Sequence, residues 1–84
     1  MKEVLLFGRE GCCLCDEARD TLERVRARHP ETFVLQELDI ESDEALLRRY
    51  LERIPVIAID GVETFELQLD ERELKLRLGI VEAG

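Results

Sequence analysis

Three short strand-like runs, separated by longer segments with helical periodicity, restrict the folds available to this chain. The runs span residues 4–7, 33–38 and 55–59, and each is long enough for a strand but far too short to cross a membrane. Strands that alternate with helices are joined by crossovers and form sheets with helices on their faces. The tight-turn dipeptide Asp60-Gly61 predicts that residues 62–67 pair back as a hairpin. The pattern therefore predicts an α/β fold in the order β-α-β-α-β-β-α, with a four-stranded mixed sheet.

The first two predicted helices lie between these runs. After residue 11, apolar residues recur at spacings of four, four and three, which places one set on a single helix face: Leu14, Ala18, Leu22 and Val25. Acidic residues fall early and arginines late in this segment, which complements the helix dipole, and His29-Pro30 ends it. The second helix is expected to begin at Ser42 or Asp43 and to end near Glu52.

The segment after residue 70 fits two structures. The alternation of Leu74, Leu76 and Leu78 is typical of a strand. However, Asp70 followed by Glu73 resembles a capping box at a helix start, and Leu74 and Leu78 also share one helix face. We expect a short helix over residues 71–78.

The length and charge of the chain limit the kinds of site and binding partner that it can have. Its 84 residues fit a single domain, 1–84, with one core and no large enclosed cavity, so an active site is expected at the ends of helices and strands. The net charge is −8, and the whole excess lies after residue 30, where six basic residues face fourteen acidic ones. This balance disfavours binding to nucleic acid or to anionic membranes.

The meaning of the cysteines depends on the compartment. Met1-Lys2-Glu3 brings charge too early for a signal peptide, so a cytoplasmic protein is expected. Cytosolic thiols are kept reduced. The three cysteines between positions 12 and 15 are then catalytic, metal-binding or incidental, and not a disulfide framework.

Cys12 and Cys15 form a Cys-x-x-Cys motif between the first strand and the first helix. Unpaired N–H groups at a helix N-terminus stabilise a thiolate, which is the nucleophilic form of cysteine. The spacing brings two sulfurs close enough for one to attack a mixed disulfide formed by the other. We assign Cys12, nearer the helix tip, as the attacking thiol and Cys15 as the resolving thiol, with Arg9 as a nearby positive charge.

Other readings of the cluster stay open. Structural zinc needs four ligands. Beside the three cysteines the chain offers one histidine, His29, which is on the order of 20 Å away along the helix. We therefore expect no mononuclear metal site, while an iron–sulfur cluster held by Cys12 of two chains is an alternative. Cys13 is either an incidental thiol or an extra redox or metal ligand. Pro55, judged from the residues alone, is a strand starter with a trans bond.

Residues 9–18 (REGCCLCDEA) and 53–61 (RIPVIAIDG) together resemble the glutaredoxin-like branch of the thioredoxin superfamily. The nearest likeness is to small bacterial glutaredoxin-like proteins with a Gly-Cys-x-Leu-Cys-Asp-Glu-Ala pattern. The resemblance implies a sheet in the order 2-1-3-4, a cis Ile54–Pro55 bond beside Cys12, and a backbone at Ile54 that pairs with the substrate chain.

Three departures from the family pattern bear on the use of glutathione. Residues 66–72 lack the glycine pair with which glutathione-using glutaredoxins hold a carboxylate, and this half of the chain is acidic. Arg53, which stands where many relatives have threonine, is expected to compensate in part. Glu10 stands where proline is common, and its charge opposes a thiolate. The resemblance therefore supports the redox class more strongly than it supports glutathione.

The sequence thus predicts a dithiol oxidoreductase that acts on protein or small-molecule disulfides as a monomer. Its expected substrate-binding residues are Arg9, Arg53, Ile54 and Pro55. Glutathione or a thioredoxin-reductase-like protein would restore the dithiol, and no bound organic cofactor is required. The alternatives are a binding module for metal, iron–sulfur clusters or proteins, and a monothiol reductase that uses Cys12 alone.

Overall fold

The computed structural model describes residues 1–81. The helices and strands follow the predicted order, and a short 3₁₀ turn at Ile40–Ser42 precedes the second helix. The elements are β1 (Lys2–Gly8), α1 (Cys13–Arg28), β2 (Phe33–Asp39), α2 (Glu44–Tyr50), β3 (Val56–Ile59), β4 (Val62–Glu66) and α3 (Glu71–Leu78).

The four strands form one mixed sheet in the order β2-β1-β3-β4, as the resemblance implied. β1 runs parallel to β2, and β3 runs antiparallel to both β1 and β4. In the β1–β3 register, Val56 lies opposite Phe7. The start of β3 therefore lies at the same edge of the sheet as the end of β1, and this edge carries the cysteine motif.

Side chains on the two faces of the sheet form two apolar clusters. Val4 and Leu6 of β1 pack in the larger cluster, with buried residues of α1 and α3. Phe7 packs in the smaller one, with residues of α2 and of the 3₁₀ turn. Cys15 belongs to the smaller cluster although it lies on α1, because the first turn of α1 sits over the end of β1.

The last segment is a helix, as predicted. Asp70 caps it by accepting hydrogen bonds from the N–H groups of Arg72 and Glu73. Leu74 and Leu78 are buried, whereas Leu76 is 67% exposed. In a helix, Leu74 and Leu78 share the buried face while Leu76 lies on another face. The predicted helix over residues 71–78 is therefore confirmed.

Several predicted boundaries shift by one or two residues, among them the ends of α2 and β4. α2 is capped by Asp43 and ends at Tyr50, before the predicted Glu52. β4 ends at Glu66 because Leu67 adopts a left-handed conformation, with φ of 70°. The Leu67 N–H then donates to the carbonyl oxygens of Arg53 (3.1 Å) and Pro55 (2.9 Å). Within residues 1–81, none of the helices has the length and apolar character needed to span a membrane.

Candidate active site

Cys12 is the N-cap residue of α1. The chain leaves β1 at Gly8 and turns through Gly11, whose φ is 82°. Cys12 itself is extended, and its Sγ accepts a hydrogen bond from the N–H of Cys15 at 3.3 Å. The sulfur thus takes the place of the hydroxyl or carboxylate oxygen that usually caps a helix. A negative charge at this point is favoured by the helix dipole and by the donated N–H.

Cys15 lies one turn deeper and is 0% exposed. Burial, followed by a hydrogen bond with the Cys12 thiol, raises the pKa of Cys15 to about 11. The backbone of Arg9 and the positive charge of Arg19 act in the opposite direction and lower this pKa. At neutral pH Cys15 is therefore a protonated thiol shielded from solvent.

The three free thiols differ in accessibility: Cys12 is half-buried, Cys13 is exposed and Cys15 is buried. Cys12 packs against the smaller apolar cluster, which contains both Cys15 and Ile54. The Ile54–Pro55 peptide bond is cis, as the resemblance implied and in contrast to the trans bond expected from the residues alone. The structure thus brings the Cys-x-x-Cys pair and the loop before β3 to one edge of the sheet.

The family model described as glutaredoxin-like domain (DUF836) matches residues 3–79, nearly the whole chain. The chain belongs to this glutaredoxin-like family. The resemblance carried by residues 9–18 and 53–61 is therefore confirmed.

Solved structures of similar fold include two bacterial proteins. Protein Ne2328 from Nitrosomonas europaea is 28% identical with a TM-score of 0.74, and the match covers 90% of this chain and 89% of that one. Protein XcR50 from X. campestris is 26% identical, also with a TM-score of 0.74, over 94% of this chain and 99% of that one. A mutant thioredoxin from Halobacterium salinarum matches at 19% identity and a TM-score of 0.68, over 99% of this chain and 77% of that one. This glutaredoxin-like domain has the thioredoxin-like fold.

The side chains of Arg9 and Arg53 are engaged in ion pairs. Arg9 pairs with Glu41, which follows β2, at 2.8 Å. Arg53 pairs with Glu63 at 2.5 Å and with Glu66 at 2.8 Å, both on β4. Their roles in substrate binding stay predictions, and a substrate anion would have to compete with these carboxylates.

A hydrogen-bond network holds Arg53 beside Tyr50. The Tyr50 ring stacks on Phe7 with centroids 4.4 Å apart, and its hydroxyl donates to Glu63 at 2.8 Å. Arg53, and then Tyr50, hold the pKa of Glu63 below its ordinary value. Burial and the Glu63 carboxylate raise the pKa of Tyr50. Arg53, its two carboxylates and the stacked rings of Phe7 and Tyr50 therefore form one connected group.

Two residues at the site were not found by sequence reasoning. A Cβ atom at Gly8 would lie 3.0 Å from the Cys15 Sγ, and no pattern in the sequence indicated this close approach. Arg19, one turn after Cys15, pairs with Glu37 and with Asp16 and lies close enough to affect the Cys15 thiol. The i, i+4 spacing from Cys15 was a usable signal for Arg19. Within the described residues, no three His, Cys, Asp or Glu side chains are grouped to hold a metal ion.

The raised pKa of Cys15 predicts a loss of stability at high pH. The protonated thiol is favoured in the folded protein, so this contribution is complete below pH 9.0, the ordinary value, and is lost as pH rises toward about 11. A pKa difference of this size corresponds to a free energy on the order of a few kcal/mol. Denaturant titrations under reducing conditions at pH 8 and pH 11 should show a larger loss for the wild type than for Cys15→Ala. Equal losses in the two proteins would contradict the prediction.

Proposed function

We propose that this glutaredoxin-like domain is a thiol–disulfide oxidoreductase in which Cys12 attacks and Cys15 resolves. The observation that carries the proposal is the position of the Cys12 sulfur at the start of α1, 3.3 Å from the N–H of Cys15. Cys12 is half-buried and Cys15 is fully buried. An accessible thiol beside an inaccessible one is the arrangement that a two-step exchange requires.

In the first step, the Cys12 thiolate attacks one sulfur of a substrate disulfide. A bond forms between Cys12 and that sulfur, and the substrate S–S bond breaks. The second substrate sulfur leaves with the electron pair and takes up a proton. The helix N-terminus stabilises the attacking thiolate.

In the second step, Cys15 loses its proton to solvent and its thiolate attacks the Cys12 sulfur. The Cys12–Cys15 disulfide forms while the bond from Cys12 to the substrate breaks, and the released substrate thiolate is protonated. The substrate disulfide is thus reduced to two thiols, and the protein dithiol is oxidised. An external thiol reductant reverses the change in the protein.

The charges around the site favour protein or neutral small-molecule disulfides over glutathione. Exposed Leu14 on α1 and exposed Leu67 after β4 flank a groove beside the motif. Glu17 is the charged residue among those lining this groove, and Arg53 is already paired with two carboxylates. An anionic tripeptide gains little from these side chains, so a thioredoxin-reductase-like protein is the preferred reductant in this proposal.

Equilibration in glutathione redox buffers tests the proposal. After rapid alkylation, peptide mass spectrometry should find a reversible Cys12–Cys15 disulfide with a potential between about −180 and −280 mV, the range of working oxidoreductases. Cys13→Ser is the matched control, since it keeps the pair and removes the third thiol. A pair that never closes and forms only slow adducts would overturn the proposal. Iron and zinc binding, the chemistry of the alternative binding module, would then be measured.

A further inference from the structure

Gly8 lets the first turn of α1 lie directly against the end of β1. A Cβ atom built on Gly8 would lie 3.0 Å from the Sγ and 3.2 Å from the Cβ of Cys15, closer than nine in ten Cβ contacts. Cys15 is buried on a helix, so it cannot swing away at little cost. A side chain at position 8 would therefore push the Cys15 sulfur away from the strand.

The peptide group after Gly8 belongs to the part of the chain that lies against this sulfur. The Arg9 backbone favours the charged form of Cys15, as does the positive charge of Arg19. The N–H of Cys15 itself is directed to Cys12. Of the titratable side chains acting on Cys15, Cys12 disfavours its charged form and Arg19 favours it. The peptide that follows Gly8 is therefore the candidate backbone donor to a thiolate at Cys15.

We propose that the Gly8–Arg9 peptide binds the Cys15 thiolate in the resolving step, with the Arg9 N–H donating to Sγ. Glycine at position 8 is what allows the sulfur to reach this donor, so Gly8 is a positioning residue. The inference rests on the proposed function, because it concerns the step in which Cys15 attacks the mixed disulfide. A buried thiolate has little water to solvate it, and a fixed N–H supplies the missing hydrogen bond.

Gly8→Ala tests the positioning role, with Gly79→Ala as its control. Gly79 caps α3, has φ of 75° and has nothing within 4 Å of an added Cβ, so its variant is destabilised without touching Cys15. Stopped-flow mixing with a chromogenic disulfide separates mixed-disulfide formation from its resolution. In Gly8→Ala we expect resolution to slow roughly 10-fold, as expected for losing one hydrogen bond to a charged group. Its pH midpoint should rise, while the first step stays within about two-fold of Gly79→Ala.

A second measurement does not depend on the folding of Gly8→Ala. The chemical shift of the Arg9 amide nitrogen, recorded by carbon-detected NMR, should titrate together with the Cys15 thiol in the wild type and should not do so in Cys15→Ser. The inference would be overturned if the Arg9 nitrogen shift did not change as Cys15 ionises. It would also be overturned if folded Gly8→Ala resolved the mixed disulfide at an unchanged rate. If the wild type never closes the Cys12–Cys15 disulfide, the proposed function fails separately, and the NMR titration still decides the contact.

Discussion

Replacing Cys12 by serine is expected to lower the rate of disulfide reduction by roughly 100-fold or more, because the proposed nucleophile is removed from the site. A serine hydroxyl still fits the N-cap position and accepts the Cys15 N–H, so the fold should be kept. Cys15 cannot replace Cys12, because it is buried and its pKa is raised to about 11. Reduction of a chromogenic disulfide or of insulin measures the loss.

Cys15→Ser tests the second step of the proposed exchange. It keeps the attacking sulfur and removes the resolving one, so a mixed disulfide at Cys12 should accumulate in place of free product. Cys13→Ser is the matched control and should behave like the wild type. Undiminished reduction by Cys12→Ser would refute the assignment of the nucleophile. Full turnover by Cys15→Ser with glutathione present would point instead to a monothiol mechanism at Cys12.

Phe33→Ala is expected to cost about 3–5 kcal/mol of unfolding free energy. Phe33 opens β2 and is 1% exposed, packed among buried residues of α1 and α3. Its loss leaves a cavity that neither a helix nor the strand can fill without moving. Since a domain of this size is stable by only about 5–10 kcal/mol, urea titration should show most of the stability gone.

Val34→Ala provides the control on the same strand. Val34 points to the opposite face and is 45% exposed, so its truncation should change the unfolding free energy by about 1 kcal/mol at most. Comparable losses in the two variants would mean that β2 is not anchored through Phe33. The contrast tests the register of the edge strand as well as the packing of one side chain.

Much of the fold was predictable because its signals are local. The strand run at residues 4–7, the helical spacing after residue 11 and the Asp60-Gly61 turn each depend on neighbours in the sequence. The Asp70 cap decided between helix and strand for the last segment for the same reason. The Cys-x-x-Cys pair was found because its position, between a strand and a helix, follows from that local pattern.

The surroundings of the site depend on pairing between distant segments. Glu63 meets Arg53 and Tyr50 only because β4 returns beside β3 and its register places Glu63 opposite Ala58. Gly8 faces Cys15 only once α1 has folded back over the sheet. Sequence spacing sets neither distance, so charge pairs and close approaches of this kind appear only with the structure.

The left-handed turn at Leu67 determines which backbone groups an incoming chain can use. Its single N–H occupies the carbonyl oxygens of both Arg53 and Pro55, while the N–H of Ile54 donates to Tyr50 at 3.1 Å. In this loop the carbonyl oxygens of Arg53 and Pro55 and the N–H of Ile54 are therefore already hydrogen-bonded within the protein. If a peptide substrate binds here, as the proposed function implies, we expect it to offer an N–H group to the Ile54 carbonyl, and a substrate with proline at that point would lack this hydrogen bond.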